Sequence, residues 1–145
     1  MRKCFIKFYS DVVELYKFET DQFELLAELK AELAFIEKGG YRRPALDVWR
    51  ARSVFQDSPI CPNFRLHSRP EPCHECVLVQ FVPPESRDRR IPCHHIPLTE
   101  AGDTIDSAER WADQNELEAM VVKWLRGAIE QLEKAVGLTV GARGH

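Results

Sequence analysis

Four of the five cysteines fall between residues 61 and 93, spaced Cys61-x11-Cys73-x2-Cys76-x16-Cys93. A Cys-x-x-Cys turn reverses the chain within two residues and lets two thiolates face one ion. Thiolates are soft and anionic, which suits zinc and iron–sulfur clusters. Cys73 and Cys93 each follow a proline and precede a histidine. Pro72-Cys73-His74-Glu75-Cys76 and Pro92-Cys93-His94-His95-Ile96 therefore read as two copies of one turn, with Ile96 standing where the first copy has Cys76. The pattern predicts a metal site at Cys61, Cys73, Cys76 and Cys93, with His67, His94 and His95 as alternative ligands. Structural zinc is the leading group and an iron–sulfur cluster the alternative. The same cysteines also suit thiol redox chemistry, or burial without a ligand as small hydrophobes. Cys4 makes the count odd, which with a cytosolic reading argues against a permanent disulfide framework.

The segment His67-Ser68-Arg69-Pro70-Glu71-Pro72-Cys73-His74-Glu75-Cys76, with Cys61 upstream, resembles a cysteine element of some bacterial PAS-type sensor proteins. That element reads roughly His-Gly-Arg-Asp-Glu-Pro-Cys-x-x-Cys-Pro with an earlier cysteine. Ser68 stands for its glycine and Val77 for its last proline. The resemblance implies that Cys61, Cys73 and Cys76 act together. It implies no sensor kinase activity, because the rest of the chain does not read as the several strands of a PAS sheet. The whole chain resembles small bacterial proteins, a likeness that carries no activity with it.

Other chemistry has thinner support. Cys93-His94-His95 offers a nucleophile beside a base, but catalytic pairs usually meet in space rather than in sequence. Tyr41-Arg42-Arg43 and Trp49-Arg50-Ala51-Arg52, with Phe55, interleave the stacking and basic groups that single-stranded nucleic acids use. A solvated surface with arginine stems over apolar groups explains them more simply. Glu85-Ser86-Arg87-Asp88-Arg89-Arg90 alternates in sign and predicts an exposed loop. Nothing matches a phosphate loop, a dinucleotide fingerprint or a paired-carboxylate hydrolase.

The elements that must position the cysteines fall into three parts. Residues 11–38 read as helix, with capping boxes at Asp11–Glu14 and Asp21–Glu24 and a helical period through Phe23, Leu26, Leu29 or Lys30, Leu33 and Ile36. Gly39-Gly40 ends it. Residues 4–9 extend that helix or form a short strand. The centre, 41–106, is rich in proline and resists long regular elements. Its exception is 77–82, which predicts a buried strand ended by Pro83-Pro84. So long an irregular stretch needs support other than backbone ladders. Residues 107–136 read as helix, with capping boxes at Asp106–Glu109 and Asp113–Glu116. Leu117, Val121, Trp124, Ala128, Leu132 and Ala135 form its stripe. Gly137 predicts a stop, and 137–145 a loose tail.

With 145 residues the chain fits one domain. A formal net charge of −3 gives no basic excess for nucleic acid, and 44% hydrophobic with 30% charged residues excludes a disordered chain. No apolar run spans a membrane. Lys7 and Asp11 interrupt what begins like a signal peptide, so the reading is cytoplasmic. The expectation is a small, α-rich α+β domain whose terminal helices clamp an irregular cysteine knuckle. It is read as a non-enzymatic metal-binding protein presenting loops to a protein partner, with its helix stripes broad enough for a homodimer. The alternatives are a redox protein and, less favoured, a nucleic-acid-binding regulator.

Overall fold

The structure is a computed structural model, and it describes residues 21–42, 53–63, 73 and 76–143, with side chains to residue 137. The elements predicted at 4–9 and the capping box at Asp11 lie outside these residues. Helix α1 covers residues 21–37. Its buried line is Leu25, Leu29, Glu32 and Ile36, spaced by four, three and four residues. Leu26 and Leu33 flank it, whereas Phe23, expected in the stripe, is half exposed. Asp21 already lies within the helix and does not cap it. Gly39 ends the helix as predicted: its φ is +76°, and its N–H donates to Ile36 O at 2.9 Å. Gly40 opens the 3-10 turn Gly40–Arg42 against the face of Phe35, where a Cβ would collide with the ring. That ring meets Tyr41 edge-on at 5.0 Å.

Helix α2 is the single turn Ile105–Ala108, and α3 runs Gln114–Arg143. The cap of α2 is Thr104 rather than the predicted Asp106. Thr104 and Ser107 exchange side-chain bonds with each other's backbone N–H groups, and Asp106 sits in the first turn. Asp113 caps α3 as predicted, accepting the Glu116 N–H at 2.8 Å. The buried line of α3 is Leu117, Val121, Leu125 and Ile129, with Trp124, Ala128 and Leu132 at its edge. The helix passes through Gly137 and continues to Arg143, where a stop and a loose tail were expected. One glycine costs a helix about 1 kcal/mol and no proline follows to enforce an end.

The two long helices run antiparallel. Lys30 meets Glu133 at 2.9 Å and Glu37 meets Arg126 at 3.0 Å, so seven residues forward on α1 match seven backward on α3. Such exposed pairs contribute only ~0–1 kcal/mol, so the apolar seam holds the register.

Short 3-10 turns build the centre: Val77–Phe81, Pro84–Ser86 and Pro92–His95. The first replaces the predicted strand. Val79 N–H donates to Cys76 O and Val82 N–H to Val79 O, both i to i+3. Leu78 and Val82 still reach the core, each 1% exposed. A short apolar run does not distinguish a strand from a helical turn by pattern alone, and a strand needs a neighbour to pair with. Among the described residues there is no strand, and the fold there is helix-rich. Trp124 of α3 joins the centre to the helices, meeting Phe81 edge-on at 5.1 Å and Phe55 at 6.2 Å. No helix among the described residues is long and apolar enough to cross a membrane.

Candidate metal centre

Three chain segments deliver the four cysteines to one place. Cys61 ends the turn begun at Ser58, donating its N–H to Ser58 O at 3.1 Å. Cys73 and Cys76 close their turn through Cys76 N–H to Cys73 O at 3.1 Å, and Cys93 accepts from Ile96 N–H at 3.5 Å. The expected two copies of one turn thus share the same i to i+3 closure. Cys61, Cys73, Cys76 and Cys93 line a single cavity of about 220 Å³. Phe55, Leu78, Val79, Ile91 and Pro92 form its apolar wall, with Gln56, Asp57 and Asn63 at its polar side.

The four sulfurs differ in exposure. Cys73 is exposed, and Cys61, Cys76 and Cys93 are half-buried. Cys76 caps the Val77–Phe81 turn, and Leu78 N–H donates to its Sγ at 3.5 Å. Burial pushes the Cys76 thiol up, the Leu78 N–H offsets part of this, and the neighbouring cysteines push the same way as burial. Cys93 is pushed up to about 12, first by burial and then by Cys76, Cys61 and Cys73. The cysteines therefore feel one another's charge across the cavity. A bound cation reverses this logic, because it stabilises the thiolates that burial disfavours. Among the described residues, no three His, Cys, Asp or Glu side chains stand where they could hold one metal ion.

Of the alternative histidine ligands, His94 is engaged elsewhere. His94 is buried, and its Nε2 lies 2.8 Å from Val54 O and 3.2 Å from Ser53 Oγ. A carbonyl only accepts, so Nε2 carries the proton and is committed to that bond. Its Nδ1 faces Glu109 Oε1 at 3.9 Å. These contacts go to Ser53, Val54 and Glu109 and not to Cys93. His94 ties the Cys93 turn to the segment that carries Cys61. His95 is half-buried, and His67 lies outside the described residues.

Beneath the cavity lies a polar chain that the sequence did not announce. Tyr41 Oη donates to Glu32 Oε1 and accepts the Phe55 N–H at 2.8 Å. Phe55 has φ +69°, a left-handed conformation that costs a non-glycine residue about 1–2 kcal/mol. Tyr41 holds its N–H, and Ser58 Oγ donates to its carbonyl at 3.1 Å. This pins a cavity-lining ring in place. Tyr41 and Phe55, two of the aromatics considered for stacking, are buried. Arg42 pairs with the buried Glu118 at 3.0 Å and also bonds Asn115. Arg43, Trp49, Arg50 and Arg52 lie outside the described residues.

The chain matches no family model, and neither a curated protein nor a solved structure matches it.

Proposed function

We propose that this chain is a non-enzymatic metal-binding protein. Cys61, Cys73, Cys76 and Cys93 hold a metal centre, and the centre organises the loops of a cysteine knuckle into a surface for a protein partner. The observation that carries this reading is the convergence of cysteines from three separate segments on one cavity. Such a centre supplies folding energy that short 3-10 turns lack. It also suits a reducing, cytoplasmic setting, which keeps thiolates available for a metal.

Cys73→Ser and Cys76→Ser test it, with metal content and thermal melting measured on the same samples. Both variants lose metal and melt earlier, and the drop exceeds the ~1 kcal/mol typical of a point substitution. Wild-type melting in both variants, with no metal bound to any of the three proteins, refutes the centre.

A further inference from the structure

We propose that Cys73 and Cys76 form a reversible disulfide by exchange with a small-molecule disulfide such as oxidised glutathione. This goes beyond the metal-binding reading and stands without it. Cys73 lies in a 3-10 turn that closes through Cys76 N–H to Cys73 O at 3.1 Å. Such a turn rises ~2.0 Å per residue and eclipses side chains three residues apart, so the two Cα atoms stand roughly 6 Å apart with both Cβ atoms on one side. A disulfide takes Cα atoms roughly 4.4–6.8 Å apart. The pair is thus held for bonding by its own turn, whereas Cys61 and Cys93 reach the same cavity on separate segments.

Exposure sets the order of events. Cys73 is exposed and Cys76 half-buried, so the reagent meets Cys73 first. Cys73 gives its thiol proton to water, and its sulfur attacks one sulfur of the reagent. The reagent's S–S bond breaks, one thiolate leaves, and a mixed disulfide remains on Cys73. Cys76 then gives its proton to water and attacks the Cys73 sulfur, expelling the second thiolate. The two cysteines lose two electrons, the reagent gains them, and the two released protons complete its two thiols. The product alters the site in two ways. Leu78 N–H donates to Cys76 Sγ at 3.5 Å, and a disulfide sulfur accepts more weakly than a thiolate, so the cap of the Val77–Phe81 turn loosens. Any metal on these two sulfurs is released, because the thiolate is the metal ligand and a disulfide has none.

The full chain, as purified and again after a chelator, is equilibrated with mixtures of oxidised and reduced glutathione and then labelled with an alkylating reagent. Trypsin releases residues 66–87, which contain Cys73 and Cys76 and no other cysteine. Mass spectrometry should find this peptide without either label and two hydrogens lighter than its thiol form, and dithiothreitol should restore both labels. Cys76→Ser should stop at the glutathione adduct on Cys73. Both cysteines labelled at every mixture in the chelator-treated chain, or a disulfide from either of them to Cys61 or Cys93, overturns the proposal. Metal content of the same samples judges the metal reading separately. A chain that never holds metal and still forms the Cys73–Cys76 disulfide sinks that reading and leaves this one standing.

Discussion

Glu32 sits where a carboxylate is costly. It is 1% exposed; Oε1 accepts from Tyr41, and Oε2 has no hydrogen-bond partner among the described residues. Burial raises its pKa above the usual 4.5, against the opposing pull of Tyr41 and Ser58. The folded state therefore holds its proton at pH values where the unfolded chain has released it. Between 4.5 and the raised value, stability falls as pH rises, by at most about 1.4 kcal/mol per pH unit for one proton. Glu32→Gln keeps the shape and removes the titration. Urea unfolding across pH 4–8 should show a flatter profile for Glu32→Gln, with its advantage greatest at high pH; an unchanged slope would show that Glu32 is ionised when folded. His94 invites a second substitution. In His94→Ala the Val54 carbonyl loses its partner, which costs roughly 1–3 kcal/mol, while the metal proposed for the cysteines stays bound. Metal loss with no change in melting would make His94 a ligand after all. That the four cysteines would meet at one cavity was readable from their spacing and from the prolines around them. Glu32 and His94 were not: a charged residue in an apolar stripe reads as surface, and the His94 bond crosses forty residues.

Local chemistry set some elements plainly and left others open. Asp113 before an apolar stripe marked the start of α3, because its carboxylate oxygen, three bonds from Cα, can satisfy an orphan N–H. The same rule misplaced the start of α2 by two residues, since Thr104 and Asp106 both offer acceptors and only the fold selects between them. The 77–82 run failed differently. Its apolar content was right and its burial was right, but Cys76 turns the chain into i to i+3 bonds that no hydropathy pattern reveals. The element ends give a comparison of magnitudes. Thr104→Ala removes the side-chain acceptor of one N–H and should cost about 1 kcal/mol. Gly40→Ala adds a methyl group facing the Phe35 ring and disturbs its contact with Tyr41, so an overpacking cost of about 1–3 kcal/mol is expected. Chemical denaturation of both variants measures this, and a Gly40→Ala protein as stable as wild type would show that Phe35 has room to move.

At the scale of the molecule, two kinds of structure are joined at one seam. α1 and α3 carry long buried stripes and antiparallel ion pairs that link the two helices directly. The centre has short turns, a strained Phe55 and the cysteine-lined cavity, and its Leu78, Val82 and Ile96 share the core of the helices. If the cysteines hold a metal as proposed, removing it should loosen the turns of the centre more than the long helices. Trp124 stands at the seam, edge-on to both Phe55 and Phe81, so its surroundings report whether the centre is docked. Trp111 is 59% exposed and contributes a solvent-like background. Metal-free protein should keep most of its far-ultraviolet helical signal while its near-ultraviolet signal weakens, and Trp124→Phe should remove much of that change. Amide exchange should quicken at 76–82 and 91–96 and stay slow along 117–129, because local stability follows local contacts. If the helices lost their signal together with the centre, the seam would be cooperative, and the metal would hold the whole fold instead of its middle. If neither signal moved, the turns would be self-supporting and the cysteine cavity would contribute nothing to the fold.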